Sequence, residues 1–176
     1  MQIRLVDVTH VDAVRDDLVA LLLDVVAQGA SIGFLRSLDV PEAKAYWNDV
    51  QAAMAGGTRL LFVAEHDGVV CGSVQLDLCM KANGINRAEV QKLVVHSTAR
   101  RSGVATALMA ALETEALARR RGLLYLDTEA GAGAEHLYRA LGYSFLGGLP
   151  EYACSPDGVW NHNAIYFKTL FKREAA

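Results

Sequence analysis

What this chain of 176 residues lacks narrows its class before any motif is considered. Cysteine occurs three times, at Cys71, Cys79 and Cys154, an odd number with no Cys-x-x-Cys pair. That excludes a disulfide framework, and the three read as small buried hydrophobes of a reducing compartment. Basic residues are not in excess: 17 against 20 acids gives a formal charge of −3, which argues against a sequence-independent nucleic-acid binder. Long apolar runs are also missing. The longest, Leu18 to Ala27, is interrupted by Asp24 and falls far short of the ~20 residues that span a bilayer. Met1 to Asp7 alternates and meets acids early, unlike a signal peptide, so a soluble cytoplasmic protein without a membrane partner is expected.

What is present suits a packed globule. With 52% hydrophobic and 21% charged residues the composition is too apolar and too balanced for disorder. A single domain over 1–176 is expected, since no linker, repeat or low-complexity stretch divides the chain. Residues 2–8 alternate like an edge strand. Thr9 and Asp12 mark a helix start, with Val11, Val14, Leu18, Leu22 and Val25 on one face and Gly29 as its stop. Asp39, Pro41 and Glu42 open a second helix that ends at Gly56-Gly57. Arg59–His66 and Val69–Cys79 form a hairpin about Asp67-Gly68, and Ala88–Val95 is a third strand. Its alternation is imperfect, because Glu89 and Gln91 share parity with Leu93 and Val95, which points to a bulge. A helix over about Gly103–Arg120, a strand Leu123–Asp127, a short helix Ala134–Leu141 and strands near Tyr143–Leu146 and Asn163–Thr169, joined across a Gly/Pro-rich connection, complete the order. That order predicts a mixed α/β sheet with helices on both faces.

The most informative stretch is the strand ending at Val95, the turn after it and the helix opening at Gly103. The N–H groups of a helix's first turn have no intrahelical partner, and the helix dipole adds positive character there. Gly103 lets backbone approach an anion, Ala105 keeps the next turn small, and Arg100 and Arg101 supply forked donors for phosphate oxygens. The same residues also read as an ordinary strand-to-helix turn with two solvated arginines.

The spacing now carries a resemblance. Arg100-Arg101-Ser102-Gly103-Val104-Ala105 is similar to the pyrophosphate loop Arg/Gln-x-x-Gly-x-Gly/Ala of the GNAT family of N-acetyltransferases. Leu137-Tyr138-Arg139-Ala140-Leu141-Gly142-Tyr143 resembles that family's Leu-Tyr-x-x-Leu-Gly-Phe signature, at the usual separation and with a strand between. Segments at 29–34, 83–93, 121–131, 156–158 and 164–170 further resemble the tabtoxin resistance proteins, which acetylate an amino acid bearing a β-lactam ring. The resemblance implies the GNAT fold: a mixed, mostly antiparallel twisted sheet of about seven strands, about four helices, and a splay between the fourth and fifth strands. It implies acetyl-CoA as cosubstrate, with Leu93, Val94 and Val95 along the pantetheine and Arg100, Arg101, Ser102, Gly103, Val104 and Ala105 on the pyrophosphate. One position departs: many relatives carry an asparagine seven residues before the signature tyrosine, and here that residue is Gly131.

Acetyl transfer needs a neutral amine and stabilisation of the departing thiolate. An α-amine titrates near ~8, so a carboxylate acting directly or through water is base enough. Glu89 and Asp127, on the strands flanking the expected splay, are the candidates; both also read as polar tips paired with Arg87 or Lys92. By position in the family, Tyr138 is the expected acid, although a tyrosine on an amphipathic helix also reads as core with a wet hydroxyl. Ser31 and Arg87, in loops near the acceptor side, are the expected substrate contacts. Arg119-Arg120-Arg121 reads as surface charge compensating a helix dipole. The five histidines show no ligand spacing, so no metal is expected. The expected activity is acetylation of a small amine, with a protein or peptide acetyltransferase and a non-catalytic acyl-CoA-binding module as alternatives. Open sheet edges make a homodimer conceivable.

Overall fold

The computed structural model describes residues 1–173. The chain runs β1 (Gln2–Leu5), α1 (Val11–Ala27), α2 (Val40–Ala55), β2 (Arg59–His66), β3 (Val69–Leu78), β4 (Arg87–Val95), α3 (Val104–Ala118), β5 (Leu123–Glu129) and α4 (Ala134–Ala140). It closes with β6 (Ser144–Gly147), the two-residue strands β7 (Ala153–Cys154) and β8 (Trp160–Asn161), and β9 (Asn163–Thr169). Seven strands form one sheet in the order β1-β2-β3-β4-β5-β9-β6, antiparallel except for the pair β4–β5. This is the mixed, mostly antiparallel architecture with four α-helices that the sequence predicts. Among the described residues no helix is long and apolar enough to cross a membrane.

Strand alternation feeds two cores. On one face Leu61, Val63 and Val94 pack under α1 and α2, with Leu18, Leu22 and Trp47 almost wholly buried. On the other, Phe62, Leu76, Leu124 and Leu126 meet Leu108, Met109 and Leu112 of α3, and Tyr138 of α4. Each such side chain contributes about 1.5–3 kcal/mol of burial, so the sheet is fixed from both sides.

Two irregularities position the site. The β3–β4 register passes from Gln75 opposite Gln91 to Ser73 opposite Val94, so Lys92 and Leu93 together oppose Val74. This is the bulge anticipated from the broken alternation, and Lys92 takes a left-handed φ of 50° there. Beyond it the neighbours part: β4 and β5 pair only from Arg87 to Glu89, against Leu123 to Tyr125. The later residues of β4 therefore present unpaired backbone to a gap.

Three local expectations are corrected. Asp7, not Thr9, caps the first helical segment: its carboxylate accepts the Thr9 N–H at 2.8 Å over a 3-10 turn, and α1 begins at Val11. The Gly/Pro-rich connection 148–162 contains the hairpin β7–β8, too short to leave an alternation signal. Arg121 is not surface charge. It is 6% exposed and donates to the carbonyls of Cys79, at 2.8 Å, and Ile85, pinning the start of β5 beneath the loop before β4.

Candidate active site

A cavity of about 650 Å³ opens beside the splay, walled by Leu93, Val94 and Val95 from β4 and by Arg100, Arg101, Gly103, Val104 and Ala105 from the turn and α3. Arg101 and Gly103 take left-handed φ of 61° and 83°, turning the chain so that α3 points its N-terminus into this space. The first helical bond is Ala107 N–H to the Gly103 carbonyl at 3.0 Å, which leaves the N–H groups of the preceding turn without an intrahelical partner. A Cβ on Gly103 would meet no protein atom within 4 Å, so glycine is required there by its φ and not by crowding. Ser102 turns away, its hydroxyl donating to the Ala99 carbonyl at 2.5 Å, and only its backbone belongs to the turn. Asp24 of α1 braces the turn from behind, accepting both the N–H and the hydroxyl of Ser97 at 2.8 Å. The arrangement fits an extended amide-bearing arm laid along the free edge of β4, leading to a diphosphate at the helix start.

A second cavity of about 530 Å³ adjoins the first, and Leu93 and Ala134 belong to both walls. It brings together Ser31, Glu89, Lys92, Asp127, Tyr138 and Tyr152. Burial raises the pKa of Asp127, although its carboxylate stays open to the cavity; the nearby Asn163 amide and Lys92 partly offset the shift. Tyr138 is pushed up to about 12 by burial, reinforced by the charge of Asp127, so its phenol stays protonated at neutral pH. Glu89 accepts from the Tyr125 hydroxyl at 3.3 Å. It lies in a row across four strands, Arg59–Asp77–Glu89–Tyr125, in which each residue is the register partner of the next. Burial and the neighbouring Glu89 raise the pKa of the Tyr125 phenol.

The cavity has a roof. Arg36, from the loop between α1 and α2, grips Asp157 of the β7–β8 hairpin through two hydrogen bonds of 2.5 and 3.0 Å. The Arg36 N–H donates to the Pro156 carbonyl at 2.9 Å, and the Ser31 hydroxyl reaches the Cys154 carbonyl at 3.4 Å. Tyr152 hangs from this hairpin near both acids, and the charge of Asp127 raises its pKa.

A model of the acetyltransferase (GNAT) family matches residues 21–143. The chain belongs to the GNAT acetyltransferase family. Ribosomal-protein-alanine N-acetyltransferase from Brucella melitensis superposes with a TM-score of 0.77 at 24% identity, over 97% of this chain and 100% of that one. The protein yncA of Salmonella typhimurium, solved with its cofactor acetyl-CoA, gives 0.78 at 21% identity over 100% and 97%. An aminoglycoside 6'-N-acetyltransferase solved with coenzyme A gives 0.76 at 19% identity over 99% and 100%. At such identities these structures speak for the fold.

Within this GNAT domain the structure gathers Glu89, Asp127, Tyr138 and Ser31 at one cavity, and Leu93, Val94, Val95, Arg100, Arg101, Gly103, Val104 and Ala105 at the other, with Ser102 outside both walls. Arg87 is placed elsewhere. Its guanidinium lies over Gly84, so close that a Cβ there would stand 2.5 Å from it, and it does not line the second cavity. Three lining or bracing residues escaped sequence reasoning. Lys92 reads as a plain strand residue until the bulge reorients it, Tyr152 sits in coil without periodicity, and Tyr125 is one of many aromatic strand positions.

Proposed function

We propose that this chain transfers the acetyl group of acetyl-CoA directly to the amine of a small molecule, both bound at once. The observation that carries the reading is the meeting of two differently built cavities at the β4–β5 gap, one suited to an extended diphosphate ligand and one roofed and acid-lined. A peptide acceptor needs an open groove. Here the cavity holds about 530 Å³, the scale of a small molecule, and the Arg36–Asp157 clasp ties together the loop and the hairpin that flank it. The segments resembling tabtoxin resistance proteins include Asp157 of the clasp, at 156–158, and support an amino-acid-like acceptor such as a β-lactam-bearing toxin.

The mechanism follows from the residues. Leu93 to Val95 hold the pantetheine arm, while the α3 N-terminus with Arg100 and Arg101 holds the pyrophosphate. The thioester carbonyl thereby lies in the gap, facing Asp127. Asp127 takes the amine's proton, directly or through one water; its raised pKa narrows the mismatch with an α-amine near ~8. Glu89, already held by Tyr125, orients the incoming ammonium. The nitrogen lone pair forms the C–N bond as the C–S bond breaks and its electrons leave on sulfur. A phenol held at about 12 does not hand its proton fully to a thiolate whose conjugate acid titrates near ~8.5. Tyr138 instead donates a hydrogen bond that stabilises the departing sulfur, and the second N–H proton, which the nitrogen gives up as it becomes an amide, passes through water to that thiolate.

The test is release of the CoA thiol from acetyl-CoA across free amino acids, β-lactam-bearing amino acids and peptides. Turnover on members of the first two groups is expected. Turnover on peptides alone would overturn the small-molecule assignment, and tight acetyl-CoA binding without turnover on any acceptor would make the domain a binding module.

A further inference from the structure

Among the described residues lining the acceptor cavity, Lys92 is the one cation, set among the carboxylates Glu89, Asp127 and Glu129. The β4 bulge puts it there. At a φ of 50° it adopts a conformation that side-chain-bearing residues disfavour, and the sheet's alternation is broken at its position. Its amine reaches across to the α1–α2 loop, where a Cβ on Gly33 would stand 3.3 Å from Nζ. No described carboxylate comes within the 4.0 Å of an ion pair with it. Burial lowers its pKa, while Asp127 and Glu89 act at longer range to keep the ammonium form. A half-buried cation without a partner is costly, and an anion delivered by a ligand would relieve that cost.

Position decides which anion. Lys92 stands on β4 and Asp127 on β5, the two banks of the gap. A ligand whose ammonium turns to Asp127 and Glu89 still has a carboxylate to place, and Lys92 lies in the same small cavity. We propose that Lys92 anchors the carboxylate of the acceptor, so that the enzyme selects free amino acids whose amine lies close to the carboxylate. This assignment rests on the small-amine reading above and sharpens it. The bulge then serves both ligands: it opens the strand edge for the cosubstrate and turns a cation toward the acceptor.

Two measurements test it. In the thiol-release assay, each standard L-amino acid is compared with its carboxamide. The preferred amino acid should exceed its amide by about tenfold to hundredfold in kcat/KM, the range for one charge-assisted hydrogen bond, with the difference carried in KM. Lys92→Met should bring that ratio close to one, and Lys92→Arg should restore part of it. A ratio that survives in Lys92→Met, or a wild-type preference for the amide, overturns the anchor. Separately, protein labelled with 13C at lysine Cε is titrated with N-acetyl-L-amino acids and with their amides, probes that cannot be acetylated again. Only the carboxylates should shift the resonance that is missing from Lys92→Met. That shift without turnover on any acceptor would sink the transferase reading and leave the anchor standing, whereas no shift with any carboxylate would overturn the anchor.

Discussion

Gly103→Ala probes the turn proposed to hold the pyrophosphate. The site needs a φ of 83° at this residue, and the added methyl would touch nothing within 4 Å, so the whole penalty is conformational. Holding a side-chain-bearing residue in the left-handed region costs about 1–2 kcal/mol. At ~2.1 cal/mol/K of unfolding entropy per residue over 176 residues, that lowers Tm by about 3–5 °C. In the proposed binding mode acetyl-CoA sits on the left-handed turn, so the enzyme saturated with it should show the full loss. The free enzyme escapes part of the strain by relaxing the turn, and what it escapes reappears as weaker acetyl-CoA binding, up to about 30-fold for 2 kcal/mol. Gly57→Ala is the control: its φ is 71°, it too has nothing within 4 Å, and it lies between α2 and β2, away from both cavities. Thermal melts with and without acetyl-CoA, together with a binding titration, read out both terms. Gly57→Ala should lose the same Tm with and without acetyl-CoA and keep its affinity, whereas Gly103→Ala should lose less Tm without acetyl-CoA than with it and bind it more weakly. A Gly103→Ala enzyme unchanged in both Tm and affinity would refute the argument that the glycine is there for its backbone.

Asp127→Asn should lower turnover by about 10²–10⁴-fold, and the acidic limb of the wild-type pH–rate profile should lie above the ordinary carboxyl value of 3.8, because activity is lost as pH falls through a raised pKa. A carboxyl whose folded pKa is raised destabilises the fold when ionised, so Asp127→Asn should also gain stability at neutral pH, a gain that shrinks as pH falls through that pKa; a lower Tm for the variant at pH 7 would count against burial as the cause. Tyr138→Phe removes one hydrogen bond to a developing anion and should lower kcat by about tenfold to hundredfold without moving acetyl-CoA affinity, and unchanged turnover would remove Tyr138 from the mechanism. Arg36→Ala opens the clasp to Asp157, so KM for small acceptors should rise while KM for acetyl-CoA holds; equal acceptor KM values would show that the roof does not confine the substrate.

The parts of the fold legible in the sequence were those with local causes. Asp39, Pro41 and Glu42 start α2 by capping chemistry that needs no distant partner, and the Asp39 carboxylate does accept the Glu42 N–H, at 2.9 Å. Asp67-Gly68 folds back on itself, with φ of 52° and 82° at its two residues. The bulge in β4 was visible because it disturbs a period of two. The start of α1 was misplaced because Asp7 and Thr9 are both capping residues and only the folded 3-10 turn chooses between them. Arg121 was misread for a different reason: three consecutive arginines look alike in sequence, and the carbonyls that bury the third come from a loop some forty residues earlier.

The same division holds at the site. The sequence by itself determined the turn proposed for the pyrophosphate, since Arg100 to Ala105 are contiguous and a helix start needs only its own backbone to attract an anion. It also supplied Glu89, Asp127 and Tyr138, though not their meeting. Only the tertiary structure decided that β4 and β5 part after Glu89, that Lys92 lines the cavity beside that gap, and that Arg36 and Asp157, 121 positions apart, tie together the loop and the hairpin that flank it. Those features arise from strand register and from pairing between distant loops. Their energies depend on which segments become neighbours, and no local pattern of residues encodes that.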